Sequence, residues 1–347
     1  MAKKLFFICL IGSLLLFFGI ASAKQNGKPP KSPADALQLL GKSIYNDKNL
    51  SINNNQSCKS CHHNKFAFVD PANAKNPSKN VVSKGSDRAL TGGLNAPTAA
   101  YAAFSPPMDW DGELYIGGIF WNGRANGHKD FNVDCLVPGY DDPINSPLAE
   151  QAQGPFTNDV EMALPDNAAV VERVASADYA YLFNLVFGTV DFTDVDLTFD
   201  QIAVAIAYFE ESDVLNKFSS DFDLIASDEW TTAQQAGFAL FMNEDNDNLG
   251  TGGGAMCVLC HVAVEPGDEA LFTDFSYDNL GLPINPLIEL QDCCAGMIDK
   301  RIVACHQHPQ LKPKTLGFGQ DVEQQLLIIE GLLRGCKWVL FRQKIVG

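Results

Sequence analysis

Residues 57 to 66 read SCKSCHHNKF, so two cysteines, a gap of two residues and a histidine stand within five positions. The same arrangement returns as CVLCH at residues 257 to 261. Cys-x-x-Cys-His is the attachment pattern of c-type heme, in which the two thiols bond to the porphyrin and the histidine reaches the iron. Each copy therefore predicts one covalently bound c-type heme. The predicted attachment cysteines are Cys58, Cys61, Cys257 and Cys260, and the predicted axial ligands of the iron are His62 and His261.

Two other kinds of site also use paired cysteines. A zinc site would bring its two cysteine pairs within about 15 to 20 residues of each other, whereas these pairs lie almost 200 residues apart. A thioredoxin-like redox pair gives no reason for a histidine directly after the second cysteine in both copies. The heme interpretation is therefore favoured, and His63, next to His62, is expected to face solvent or to support the site.

The first 23 residues have the pattern of an export signal. Lys3 and Lys4 precede an apolar run from Leu5 to Ile20, and Ala21-Ser22-Ala23 supplies small residues for cleavage. The run is short for a membrane span, which needs about 20 apolar residues, and an uncleaved anchor is the alternative interpretation. We expect a cleaved signal peptide and a mature protein that is soluble and lies outside the cytoplasm.

Net charge and length limit the possible partners and the number of domains. The formal net charge of −17 argues against nucleic acid or an anionic membrane surface as a partner and favours a basic partner protein. About 320 residues remain after the predicted signal, which exceeds a usual single core and predicts two domains. Ten cysteines in an exported chain would ordinarily suggest disulfides, but four belong to the two motifs and Cys9 to the signal.

The pattern of apolar residues predicts a mostly α-helical protein with long loops. Ser32 followed by Pro33 is a helix start signal, and apolar residues on one face continue it to about residue 46. A second helical pattern covers about 197 to 217, and no stretch shows sustained strand alternation.

The two halves of the chain also echo each other around the motifs. Gly41, Tyr45 and Phe68-Val69-Asp70 around the first motif are matched in order by Gly237, Phe241 and Phe272-Thr273-Asp274 around the second. Two related domains in one chain would give this pattern. We predict an N-terminal heme domain over residues 24 to 215 and a C-terminal heme domain over residues 216 to 347.

Between the motifs stand FWNGRA at 120 to 125, PLAEQAQGP at 147 to 155 and VEM at 160 to 162. In this order they resemble the bacterial di-heme cytochrome c peroxidases and their MauG-like relatives, which typically read FWDGRA, L-x-E-Q-A-x-G-P and E-M. Further matches are LGK at 40 to 42, NAPT at 95 to 98, FTD at 272 to 274 and NLG at 279 to 281. The resemblance runs from about residue 38 to 286 and implies two cytochrome c-like heme domains.

The resemblance implies roles for individual residues. It makes Glu161 the acid and base over the peroxide-reducing N-terminal heme, puts Trp121 between the two hemes, and makes Asn95 a candidate ligand of a calcium ion. The role of Glu161 is chemically reasonable, because splitting the O–O bond requires a proton to move from the inner to the outer oxygen. Arg124 is a weaker candidate, for steadying a heme propionate or developing negative charge.

The implied reaction is reduction of hydrogen peroxide to water with two electrons from a small periplasmic donor, a cytochrome c or a cupredoxin. The C-terminal heme would receive the electrons and pass them to the N-terminal heme. The export signal predicts a periplasmic location, and a homodimer is a further expectation. The alternatives are a MauG-like oxidase that modifies a protein substrate and a non-enzymatic di-heme electron carrier.

The resemblance ends near residue 288. The family's VPTLRN-like and TAPYMHDG-like stretches are absent, and with them the usual source of a second axial ligand for the C-terminal heme. The tail has 8 Lys+Arg against 6 Asp+Glu, where the rest of the chain has 17 against 36, and it holds Cys293, Cys294, Cys305 and Cys336. Our hypothesis is a divergent or frame-shifted end. A metal site at Cys305-His306-Gln307-His308 is the alternative, although it lacks a second cysteine at ligand spacing.

Two smaller departures from the family pattern occur within the matched region. Leu94 stands where the family has an arginine before NAPT. Residues 126 to 146 look like an insertion, and Cys135 within it is either a free thiol or half of a disulfide.

Overall fold

The structure is a computed structural model, and it describes residues 30–131, 146–242, 255 and 257–277. The predicted signal peptide, most of the predicted insertion with Cys135, the NLG stretch at 279 to 281 and the tail from residue 288 lie outside the described residues.

Helices and loops make up nearly all of the described chain, which confirms the prediction of a mostly α protein. The α-helices are α1 (Pro33–Asn46), α2 (Cys58–Cys61), α3 (Pro71–Lys75), α4 (Ser146–Thr157), α5 (Asn167–Ala175), α6 (Tyr181–Phe187), α7 (Val195–Glu210), α8 (Asp221–Leu224) and α9 (Thr232–Met242). The strands are β1 (Asp109–Trp110) and β2 (Tyr115–Ile116), which pair antiparallel. The longest described helix, α7, has 16 residues, and no helix of the described part is long and apolar enough to cross a membrane.

Helix α1 begins and ends where the sequence predicts. Ser32 accepts a hydrogen bond of 3.0 Å from the backbone N–H of Asp35, and Pro33 occupies the first turn. The apolar face buries Leu37, Leu40 and Ile44, and each such side chain contributes about 1.5 to 3 kcal/mol when fully buried. This face anchors the chain just before the first motif.

Helix α7 is the centre of the core and is shorter than the predicted 197 to 217. It begins at residue 195 because Asp194 accepts a hydrogen bond from the N–H of Leu197. It ends at Glu210 because the Asn216 side chain bonds back to the carbonyls of Glu210 and Ser212, at 2.8 and 3.2 Å. Residues 211 to 217 therefore form turns instead of continuing the helix.

Helix α1 packs closely across α7. A Cβ atom at Gly41 would lie 1.8 Å from the carbonyl oxygen of Ala205 and 2.8 Å from the Cβ of Phe209. Only glycine allows the two helices to approach this closely, and the contact fixes the ends of α1 and α7 that flank the first motif.

The segment after the second motif pairs with the β1–β2 hairpin. Ile116 bridges Ser276, and Tyr277 donates a backbone hydrogen bond of 3.0 Å to Tyr115. The N–H of Gly117 bonds to the carbonyl of Phe275, also at 3.0 Å. This pairing joins the two motif-bearing parts of the chain, while the domain boundary near residue 215 stays a prediction.

Candidate functional site

The first motif forms a single helical turn. Ser57 caps α2 with Ser60, whose hydroxyl accepts a hydrogen bond of 3.0 Å from the Ser57 N–H. Residues three apart on a helix lie on the same face, so the turn presents Cys58 and Cys61 together. His62 follows at once, with its N–H bonded to the carbonyl of Cys58 at 2.9 Å. The two-residue gap thus puts two thiols and one imidazole at one place.

A hydrogen bond from its Nδ1 atom fixes the orientation of the His62 ring. Its Nδ1 lies 3.1 Å from the backbone oxygen of Phe68, and because a carbonyl only accepts, Nδ1 carries the proton and Nε2 the lone pair. Burial lowers the pKa of His62, which favours the neutral ring. The hydroxyl of Tyr45 also donates to the His62 carbonyl at 2.9 Å. A neutral imidazole with its lone pair on Nε2 is the form that ligates iron.

The thiols of the first motif are not activated for redox chemistry. All four motif cysteines are free of disulfides. Burial raises the pKa of the Cys58 thiol and brings that of Cys61 to about 12, whereas reactive Cys-x-x-Cys pairs have a depressed pKa. Neutral thiols at the wall of a cavity fit thioether attachment better than thiol–disulfide exchange.

A cavity of about 40 Å³ joins the first motif to helices α4 and α7. Cys58, Cys61, His62 and Glu161 all line it, so four of the predicted site residues come together. Two buried oxygens of its lining residues, Oε1 of Gln56 and Oε2 of Glu210, have no hydrogen-bond partner within the described chain. Buried polar atoms are normally satisfied, and these two therefore point to a bound group with polar atoms.

A larger cavity of about 530 Å³ also borders this turn and shares Cys61 with the first. Its wall includes the cationic side chains of Lys79, Lys84 and Arg88. Together the two cavities provide space and positive charge for a group that carries carboxylates.

Glu161 is held in a turn that is tied at several points. The side-chain amide of Asn158 donates to Oε1 of Glu161 at 3.1 Å, and the Glu161 N–H bonds to the Asn158 carbonyl at 3.0 Å. From the opposite side, the N–H of Ser86 donates to the Glu161 carbonyl at 2.7 Å. Neighbouring Gly85 is required, because a Cβ there would lie 2.4 Å from the carbonyl oxygen of Val160. The carboxyl group is therefore fixed relative to the motif.

Two opposing influences act on the Glu161 carboxyl. Burial raises its pKa, and the positive charge of Arg124 lowers it again in part. The Arg124 guanidinium is stacked on the Phe120 ring, 3.3 Å from the ring centroid, and donates to Oδ1 of Asn122 at 3.1 Å. A carboxyl with a pKa above its ordinary value is suited to exchange protons near neutral pH.

Trp121 and Asn95 contact each other and do not line the cavity beside the first motif. Nε1 of Trp121 donates to the backbone oxygen of Asn95 at 2.6 Å. The Trp121 loop approaches the segment after the second motif, because a Cβ at Gly123 would lie 3.2 Å from the hydroxyl of Tyr277. A position between the two motifs is consistent with this contact.

Asn95 offers few oxygen atoms as ligands for the expected calcium ion. Calcium takes six to eight oxygens as a rule. The backbone oxygen of Asn95 accepts from Trp121, and its side-chain amide donates to the carbonyl of Val81 at 2.8 Å. Within the described residues no group of three or more His, Cys, Asp or Glu side chains is arranged to hold a metal ion. The described residues around Asn95 therefore do not fit a calcium site.

Several residues that line the first cavity were given no individual role from the sequence, among them Gln151, Pro155 and Glu210. Gln151 and Pro155 come from α4, and Glu210 ends α7. The first two lie four residues apart within PLAEQAQGP, a spacing that puts them on one helix face. Burial, with a smaller contribution from Glu211, raises the pKa of Glu210 to about 8. The first of the two glutamates that follow the apolar run AVAIAYF, Glu210, was the signal that could have found it.

The second motif repeats the local geometry of the first. Cys257–Leu259 form a 3-10 turn, and the N–H of His261 bonds to the Cys257 carbonyl at 2.8 Å. Nδ1 of His261 lies 3.2 Å from the backbone oxygen of Phe272, so its proton is on Nδ1 and its lone pair on Nε2. Phe68 and Phe272, which accept these two contacts, both have a positive φ, +56° and +51°. The internal echo in the sequence thus corresponds to a repeated arrangement for orienting an imidazole.

Comparison with known proteins gives one consistent result. The family model described as di-haem cytochrome c peroxidase matches residues 35–230. The chain is 32% identical over 285 residues to the methylamine utilization protein MauG of Paracoccus denitrificans. This match covers 80% of this chain and 64% of MauG. It is 28% identical over 293 residues to cytochrome c551 peroxidase of Nitrosomonas europaea, covering 83% and 69% respectively.

A solved structure gives the same family. The crystal structure of the diheme peroxidase BthA from Burkholderia thailandensis superposes with a TM-score of 0.57 at 27% sequence identity. The match covers 73% of this chain and 56% of that one. The chain therefore spans less than two thirds of the length of MauG and little more than half of BthA.

Proposed function

Because the chain belongs to the di-haem cytochrome c peroxidase family, we propose that it reduces hydrogen peroxide to water with electrons from a small soluble donor protein. The observation that carries the proposal is that Glu161 lines the same cavity as Cys58, Cys61 and His62. An acid–base group beside a heme-attachment motif is the minimum that peroxide cleavage requires. The family implies two heme groups, which agrees with the two motifs.

The residues fit covalent attachment of a c-type heme at each motif. Cys58 and Cys61 would form the thioethers of the first heme and His62 would ligate its iron, with Cys257, Cys260 and His261 in the same roles at the second. The tautomers support this assignment, because each imidazole has its Nδ1 proton bonded to a backbone carbonyl. Lys79, Lys84 and Arg88 would balance the carboxylates of the first porphyrin.

Glu161 moves the proton on which O–O cleavage depends. A heme, when bound, supplies an iron at which peroxide binds and through which two electrons reach it. The Glu161 carboxylate takes the proton of the inner oxygen and returns it to the outer oxygen, which leaves as water. Asn158 bonds to Oε1, so Oε2 is the atom that exchanges the proton. Two further protons and the two electrons complete the balance, and one peroxide gives two waters.

The second motif is the proposed entry point of electrons, and a cytochrome c or a cupredoxin is the proposed donor. Trp121 then lies on the route between the motifs, because its loop contacts the segment that follows the second motif. We further propose domains over residues 24 to 215 and 216 to 347, and a periplasmic location after removal of residues 1 to 23. The acidic chain supports a basic donor.

A MauG-like oxidase is the second candidate. The observation in its favour is the identity of 32% to MauG against 28% to the cytochrome c551 peroxidase. In this reading the peroxide oxidises a protein substrate instead of a soluble donor, and the role of Glu161 is unchanged.

The test is peroxide-dependent oxidation of a reduced donor by the heme-loaded protein. Wild type should consume two equivalents of reduced cytochrome c per peroxide. Glu161→Gln should lose about 10² to 10⁴ in turnover, with its heme content unchanged in the pyridine hemochrome assay. The matched control is Glu172→Gln, at an exposed position of α5, which should retain wild-type turnover. Full activity in the Glu161→Gln protein would refute the assignment, and peroxide consumption without donor oxidation would favour the oxidase.

A further inference from the structure

The β1–β2 hairpin presents an exposed aromatic side chain among carboxylates. Trp110 is 49% exposed, and Asp109, Asp111 and Glu113 around it are exposed as well. We call these four residues the acidic hairpin face. Tryptophan is costly to leave in water and is enriched at the centre of protein–protein interfaces. This combination makes the face a candidate for contact with another protein.

The sequence that carries the acidic hairpin face has no positive charge, and the titratable cation-forming group at its base is the His128 ring, whose Nε2 lies 2.8 Å from the backbone oxygen of Met108. No Lys, Arg or His occurs from residue 89 to residue 123. Asp111 accepts hydrogen bonds from the backbone N–H groups of Leu114 and Glu113, both at 2.7 Å, which lower its pKa and keep it ionised. The face therefore attracts a partner with a positive surface.

Trp110 is held outward by the hairpin. Its ring packs against Tyr115 with centroids 4.9 Å apart, and the two residues are partners in the strand register. The carboxylate of Asp111 closes the turn between the strands. An aromatic side chain fixed in this way loses little conformational freedom on binding, which favours its use as an anchor.

The hairpin leads directly to both parts of the proposed electron route. Tyr115 accepts the backbone hydrogen bond of Tyr277, five residues after Phe272, whose carbonyl orients His261. On its other side, Met108 contacts Gly123, because a Cβ at that glycine would lie 2.1 Å from Met108 Cε. Gly123 is two residues from Trp121. A protein docked on the hairpin therefore lies next to the segments that carry Trp121 and follow the second motif.

We propose that the acidic hairpin face is the docking site of the electron donor, and that this donor is a small protein with a basic surface around its redox centre. The inference rests on the proposed function and adds the surface on which the electron donor docks. Each docked donor loses one electron, which passes to this protein. Two donors dock in turn for each peroxide that is reduced, and the two protons come from solvent.

The test uses the full heme-loaded chain and two double variants with the same change of charge. Asp109→Lys/Glu113→Lys changes the acidic hairpin face and leaves Asp111 to close the turn. Glu172→Lys/Asp178→Lys changes two exposed carboxylates in and just after α5. A third variant, Trp110→Ala, removes the anchor alone. Binding of an oxidised basic cytochrome c is measured by calorimetry at low and high salt, and peroxide turnover is measured with reduced cytochrome c and with hydroquinone.

We expect the hairpin double variant to bind the cytochrome about tenfold more weakly at low salt and to lose most of the salt dependence. Trp110→Ala should also raise the Kd, the control should match wild type, and all forms should oxidise hydroquinone equally. Unchanged cytochrome binding in the hairpin variants would overturn the inference, as would equal binding of an acidic cytochrome c. A lack of peroxide-dependent oxidation of both reduced cytochrome c and hydroquinone in wild type would instead contradict the proposed function, and the calorimetry would still decide the docking site.

Discussion

The side-chain amide of Asn158 donates a hydrogen bond of 3.1 Å to Oε1 of Glu161, three residues further along the same turn. The backbone carbonyl of Asn158 also accepts from the N–H of Glu161. One residue therefore fixes both the main chain and the carboxyl group of the proposed acid–base residue. The hydrogen bond favours the ionised form, which is the form that accepts a proton from peroxide.

Asn158→Ala should reduce kcat/KM for peroxide about 10- to 100-fold, because a hydrogen bond to a charged group is worth roughly 1.5 to 3 kcal/mol. Loss of the bond also raises the pKa of Glu161, so the acid limb of the pH–rate profile should move to higher pH. The measurement is kcat/KM against pH, with Asn64→Ala at an exposed position as the control. A wild-type profile in Asn158→Ala would show that the bond has no part in catalysis.

Arg124→Gln should move the acid limb of the same profile to higher pH. Burial raises the pKa of Glu161 and the charge of Arg124 opposes it, so removal of that charge lets the pKa rise further. Arg124→Lys keeps the charge and loses the flat group that stacks on Phe120, and it should shift the limb less. A shift to lower pH in Arg124→Gln would contradict this electrostatic account.

Glu210→Gln should change the pH dependence of stability. Burial raises the pKa of Glu210 to about 8 from an ordinary value of 4.5, so the folded state holds a proton that the unfolded state releases. Its contribution is full below pH 4.5 and is lost as the pH rises to about 8. The loss amounts to ~5 kcal/mol.

Urea unfolding of wild type and Glu210→Gln at pH 5 and pH 8 checks this prediction. The variant should gain free energy of unfolding relative to wild type as the pH rises. Glu172→Gln, on the surface, should follow wild type at both values. Parallel curves for wild type and Glu210→Gln would mean that Glu210 ionises normally in the folded protein.

The two glycines that echo each other should respond oppositely to alanine. Gly41→Ala puts a Cβ 1.8 Å from the carbonyl oxygen of Ala205, so it should destabilise the protein by about 1 to 3 kcal/mol or more. Gly237 lies in α9 with nothing within 4 Å of its Cβ position, and Gly237→Ala should stabilise that helix by about 0.5 to 1 kcal/mol. The melting temperatures of the two variants test this prediction. Equal changes in melting temperature would contradict the close α1–α7 crossing.

Local signals in the sequence predicted the elements that depend on local chemistry. Ser32 and Pro33 determine the start of α1, and the prediction of residues 33 to 46 is confirmed. The predicted end of the second helix at residue 217 was wrong. The apolar pattern continues past Glu210, but the Asn216 side chain turns back to the carbonyls of Glu210 and Ser212. A side-chain bond of this kind leaves no trace in periodicity.

The candidate site also contains some residues that local sequence predicts and others that only tertiary packing brings in. The Cys-x-x-Cys-His spacing requires only one helical turn, so Cys58, Cys61 and His62 could be read from the sequence. Gln151 and Glu210 reach the same cavity through the packing of α4 and α7, which is a tertiary property. The pairing of Tyr115 with Tyr277 joins residues more than 160 positions apart, and no local pattern indicates it.

The most direct test of the account is the number of c-type hemes bound covalently to the chain. The protein is expressed in a host that matures cytochromes c, denatured, and assayed as the pyridine hemochrome. We predict two hemes per chain in wild type, one in Cys58→Ala/Cys61→Ala and one in Cys257→Ala/Cys260→Ala. A wild-type chain without covalent heme, or a pair of variants that both retain two, would contradict the account.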